Sequence, residues 1–123
     1  SASTTFLTIE QGNVTGWSND TWYHIAFVRD GDDWTLYKDG TSVATTTVSG
    51  SMDDISAELK IGRWAYTTSH YITGYMDEIR ISNSARYTAA FTPSTTEFTT
   101  DANTKLLIHS NYNAGFGVDS SGN

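Results

Sequence analysis

Three short stretches hold the residues whose types and spacing suit chemistry. The stretch GRWAYTTSHYITG, residues 62–74, gathers Arg63, Trp64, Tyr66, His70 and Tyr71 among threonines and serines. Aromatic rings stack on the C–H faces of sugars, while hydroxyls and an arginine fork bond sugar hydroxyls. This loop is the candidate glycan-binding surface. Such rings are equally enriched at protein interfaces, so the competing reading packs two or three of them against a sandwich end or a neighbouring subunit. The acidic turn RDGDDW offers Asp30, Asp32 and Asp33 beside a glycine. Calcium takes about six to eight oxygens, and three carboxylates with nearby carbonyls make a candidate Ca2+ site. The competing reading is a charged, solvated hairpin loop.

The third stretch, YMDEIRI, carries the carboxylates that a glycan-cleaving enzyme would need. Read as a strand, it places the adjacent Asp77 and Glu78 on opposite faces. An acid and a nucleophile must face one cleft, roughly 5 to 9 Å apart. Glu78 instead shares a face with Arg80, an ordinary same-face ion pair. The histidines, His24, His70 and His109, lack metal-ligand spacing. No Gly-x-Ser-x-Gly elbow and no phosphate-binding glycine pattern occurs. With no cysteine, disulfides and thiolate chemistry are excluded. The expectation is a protein that is not an enzyme.

The elements that position these residues are legible from composition. Twenty Thr, 14 Ser and 16 aromatics stand beside 10 Gly and a single proline, Pro93, a mixture that favours pleated strands over long helices. At 123 residues the chain has room for one modest core. Its net charge of −7 repels nucleic acid and anionic membrane surfaces, so neither is an expected partner. No apolar run approaches the ~18 residues of a membrane span. No signal peptide is visible, and the opening Ser suggests a processed or excised segment.

Strands are predicted at 5–10, 21–29, 34–38, 42–48, 57–62, 72–82 and 104–109, with Gly, Asn, Asp and Ser between them. In TWYHIAFVRD both alternating sides are apolar, which predicts a central strand with Trp22 and Phe27 buried on opposite faces. Asp39-Gly40 supplies a tight hairpin turn, because both residues accept positive φ cheaply. The segment 83–93 is the only plausible helical turn, and Pro93 then leads into an extended crossing segment. The class is all-β, an antiparallel β-sandwich.

TWYHIAFVRDGDDWTLYKDGT, LKIGR, GYMDEIRISNSARYTAAFTP and TKLLIH, in that order, resemble the C-terminal half of a laminin-G-like, concanavalin A-like jelly-roll domain. The resemblance covers roughly residues 20–110. It implies a sandwich of about a dozen strands, usually non-catalytic, often glycan-binding and sometimes calcium-binding. Such domains occur in phage virion and bacterial surface proteins, which implies an extracellular or virion-surface location. The family's opening strands are largely missing, while the tail HSNYNAGFGVDSSGN looks like the opening of a following domain. The resemblance therefore divides the chain into 1–110, the C-terminal portion of one sandwich, and 111–123, a linker or the start of the next repeat. It implies an incomplete sandwich completed by a neighbouring copy or repeat, with residues 104–112 as the donated strand. The functional expectation is a binding module in adhesion or glycan recognition, its partner a glycan or cell-surface receptor. The alternative is a purely structural unit that assembles by strand sharing into a filament, fibre or capsid decoration.

Overall fold

The computed structural model describes residues 15–51, 56, 58–63, 69–110 and 118–119, the last two by their backbone alone. The predicted strand at 5–10 lies outside them. The chain divides into two compact units, Ser1–Met52 with Ser84–Thr95, and Asp53–Asn83 with Thr96–Asn123. Among the described residues every regular element is a strand, and every strand pairing is antiparallel.

The first unit is built on a meander of β1 (Ile25–Asp30), β2 (Asp33–Lys38) and β3 (Thr41–Thr47), in the order β1-β2-β3. Its two turns explain the topology. Gly31 has φ 60°, and Asp39 and Gly40 have φ 51° and 79°, the left-handed backbone that a two-residue hairpin needs. Asp39 also secures the strand ends. Its Oδ1 accepts the His24 N–H at 2.8 Å, and its own N–H donates to the His24 carbonyl at 2.8 Å. Pairing of Ala26 with Tyr37, Val28 with Thr35 and Asp30 with Asp33 assigns these six to one face. On that face Val28 and Tyr37 are buried. Phe91 covers them, 5.4 Å from the Tyr37 ring and stacked on Tyr87 at 3.6 Å.

The opposite face carries Trp34, only 5% exposed, with the Phe27 ring stacked at 5.2 Å and the Arg29 guanidinium 5.1 Å from its centroid. Lys38 lies between the rings of Trp17 and Tyr23, at 4.6 and 4.5 Å. The expectation for the first strand needs correction. Trp22 is 67% and Phe27 54% exposed. β1 starts only at Ile25, so Trp22 holds no ladder position, and Phe27 lies over Trp34 as its lid. Alternation marked the faces correctly but not which of them the fold covers.

The predicted helical turn at 83–93 does not form. The Phe91 N–H donates to the Gly40 carbonyl at 3.0 Å, so the backbone is spent on docking instead of an i→i−4 bond.

In the second unit, β4 (Ile79–Ser82), β5 (Thr104–His109) and β6 (Val118–Asp119) form a sheet in that order. Leu107 on β5 is its most deeply buried side chain among the described residues. Arg80, opposite Leu107, lies with its guanidinium 4.0 Å from the Phe98 ring centroid. The strand predicted at 72–82 shortens to β4, and the described residues of 57–62 form no strand. The strand expected to be donated is β5. β5 is central, paired along one edge to β4 and at its C-terminal end to β6, so residues 104–109 find partners within their own chain. Residues 118–119, which the sequence assigned to the link, supply one of those partners.

Candidate functional site

Of the five residues named for the glycan surface, Arg63, His70 and Tyr71 fall among the described residues, and Trp64 and Tyr66 lie outside them. The base of their loop is closed by backbone. Gly62 turns the chain at φ 77°, its carbonyl accepts the Ile72 N–H at 2.8 Å, and Arg63 pairs with Tyr71 in an isolated antiparallel bridge. The bridge brings the Arg63 guanidinium to 5.9 Å from the Tyr71 ring, which is itself 61% exposed. Ser69 Oγ stands 3.4 Å from His70 Nδ1. An exposed ring beside a cationic fork, held by paired backbone, suits a flat polar ligand such as a sugar. Tyr75, at the head of YMDEIRI, is also exposed.

The three carboxylates of the acidic turn have different surroundings. Asp32 lies 3.9 Å from Arg29, and its carbonyl accepts the Val48 N–H. Asp33 Oδ1 accepts the Thr47 hydroxyl at 2.6 Å. Asp30 and Asp33 stand opposite each other across the hairpin, on the face that Tyr37 shares. Among the described residues, the grouping of three metal-capable side chains lies elsewhere, at Glu78, Glu97 and His109, whose donor atoms all lie within 4.8 Å of one another.

That second cluster was missed from sequence. Glu78 does not belong to the alternating strand: it precedes β4 with φ 52°. Asp77 holds it there, with Oδ1 accepting the N–H groups of Glu78 at 2.8 Å and Ser110 at 2.9 Å. Glu78 Oε1 is 2.5 Å from His109 Nδ1, and Oε2 accepts the Phe98 N–H at 2.6 Å. The hydrogen bond to Glu78 raises the His109 pKa. Burial opposes that rise, and the negative charges of Glu78, Glu97 and Asp77 add to it.

Two carboxylates and an imidazole are a donor set for borderline metals such as Zn2+. Glu78 and Glu97 also bring together two carboxylates that no strand spacing revealed. Yet both Glu78 oxygens are committed, one to an imidazole and one to a backbone amide, so its hydrogen bonds account for its placement. The arrangement ties the approach to β4 to β5 and to residue 98.

A family model described as Concanavalin A-like lectin/glucanases superfamily, of the laminin G type, matches residues 3–90. It starts before the region of resemblance read from the motifs and stops short of β5. No curated protein and no solved structure matches the chain.

Proposed function

Because the chain belongs to this laminin-G-like family of the concanavalin A-like superfamily, an all-β class of sandwich domain, we propose that it is a non-catalytic binding module. It acts in adhesion or glycan recognition as part of a larger virion or bacterial surface protein, on the extracellular or virion surface. The observation that carries this reading is the Arg63–Tyr71 bridge, which presents an exposed ring and a guanidinium together on a closed loop. The committed oxygens of Glu78 support the non-catalytic part, since a glycosidase acid must be free to exchange a proton with substrate. A glycan array tests the reading. Wild-type chain should retain a defined set of glycans, and Tyr71→Ala should lose them with an unchanged melting temperature. Failure of the wild-type chain to bind any glycan defeats it.

A second reading, self-assembly, is favoured by one observation. Trp22, Ile25 and Phe27 expose apolar surface on and beside β1, and apolar patches of this kind mark association sites. Light scattering across a concentration series decides it: a monomer at every concentration rules it out.

A further inference from the structure

We propose that the Arg63–Tyr71 surface takes an acidic sugar: one hexuronate, a pyranose whose C6 is a carboxylate, carried on an otherwise neutral glycan. This inference rests on the glycan reading of that loop and names the class of ring it receives.

Arg63 stands apart from the other cations of the chain. Its guanidinium makes no hydrogen bond and no ion pair among the described residues, and its contact is the Tyr71 ring at 5.9 Å. That distance is at the outer edge of a cation–π contact, about 6 Å. The other cations are engaged. The Arg29 guanidinium is bonded to the Gly31 and Gly50 carbonyls, and the Lys38 ammonium to those of Thr15 and Gly16. Lys60 lies 3.6 Å from Glu58, and Arg80, Arg86 and Lys105 have interactions of their own. Arg63, itself exposed, therefore offers a planar fork of N–H donors that matches the two oxygens of a carboxylate.

The charges around the loop point the same way. Residues 59–76 carry Lys60, Arg63 and His70 and no Asp or Glu. The carboxylates that flank them are taken: Glu58 by Lys60, and Asp77 by the N–H groups of Glu78 and Ser110. Asp53 and Asp54 lie outside the described residues. A net charge of −7 repels a polyanion along its whole length. A single acid answers mainly to the charges within a Debye length, ~8 Å at physiological ionic strength. The charge distribution thus selects one acid on a neutral glycan.

Placement is independent of charge. Antiparallel pairing across the isolated bridge sets the Arg63 and Tyr71 side chains on one face. A pyranose stacked by its C–H face on the exposed Tyr71 ring carries C6 at its margin, beside the guanidinium. A neutral sugar offers a hydroxymethyl group there, which cannot accept the fork through two oxygens. A carboxylate is bonded directly to the ring, so stacking positions it. A sulfate ester hangs from a rotatable oxygen and is not positioned in that way.

The test is an array of neutral oligosaccharides, each capped by one glucuronate or galacturonate, beside their carboxyl-reduced and 6-sulfated counterparts and heparin, probed in EDTA. The wild-type chain should retain at least one uronate cap. The carboxyl-reduced counterpart should bind on the order of tenfold or more weakly, because a charge-assisted bidentate bond is lost. Arg63→Gln, with the melting curve of the wild type, should lower binding of the acidic cap to the level of its reduced counterpart. Arg63→Lys should recover only part of the loss, since a point charge replaces the fork. Equal binding of acidic and reduced caps, tighter binding of sulfated caps or heparin, abolition of binding by EDTA, or an Arg63→Gln variant that binds as wild type each overturns the proposal. Retention of neutral glycans alone, lost in Tyr71→Ala, overturns it while the glycan reading stands. An array on which nothing binds overturns both.

Discussion

Glu78 and His109, 31 residues apart in sequence, meet at 2.5 Å through Oε1 and Nδ1. The register of the sheet brings them together. Ile79 pairs with Ile108, so one step outward along each chain sets Glu78 opposite His109. The left-handed φ of 52° at Glu78, rare for a residue with a side chain, then aims its carboxylate at both His109 and the Phe98 amide.

This pair makes stability depend on pH. The His109 pKa is raised, first by the hydrogen bond to Glu78. A group whose folded pKa lies above its unfolded value contributes stability that is full below the unfolded pKa, about 6.5 for histidine, and is lost as pH rises through the folded pKa. Wild-type chain should therefore lose more thermal stability between pH 5 and pH 9 than His109→Gln or Glu78→Gln. Melting curves at several pH values check this, and identical slopes in all three would refute it.

Gly40 tests the docking of the crossing segment. A Cβ built at Gly40 would stand 1.7 Å from the Phe91 carbonyl oxygen, at a φ of 79°. Gly31 also has positive φ, 60°, but meets nothing within 4 Å. Gly31→Ala should cost about 1–2 kcal/mol from φ alone. Gly40→Ala should cost more, roughly 2–5 kcal/mol, because the Phe91 backbone must also move. Urea titration of both variants measures the difference.

The tryptophans separate core from surface. Trp34 is 5% exposed and Trp22 67%. Trp34→Ala should destabilise by about 3–5 kcal/mol, whereas Trp22→Ala should stay within about 0.5 kcal/mol. Denaturant midpoints that place the two variants together would contradict the assignment of faces.

Thr104 leads β5 and is buried, with its hydroxyl and the Asp101 carboxylate 3.1 Å apart and the Asp101 N–H donating back to it at 3.1 Å. Thr104→Val keeps the shape and strips the partner from a part-buried turn. The expected cost is about 1–3 kcal/mol. Amide exchange should show the loss first in residues 101–109, the local unit that this turn closes.

The sequence by itself determined what depends on neighbours along the chain. Asp39-Gly40 is a turn in sequence and in structure, because positive φ is a property of those residue types wherever they occur. β2 and β3 came from Thr and aromatic content, β5 from TKLLIH, and the family from motifs in a fixed order. Arg63 and Tyr71 stand out in sequence as candidate site residues because rings near a cation need no long-range partner to be noticed. Tertiary structure alone decided whatever depends on which segments meet. Alternation in TWYHIAFVRD marked two faces, but only packing of Tyr87 and Phe91 determined that Val28 and Tyr37 lie beneath a cover while Phe27 stays half open. Glu78 with His109, Glu97 beside them, and Asp30 opposite Asp33 all follow from strand register and chain crossing. Those are long-range pairings, and residue spacing carries no information about a partner 31 positions away until the strands are known to pair.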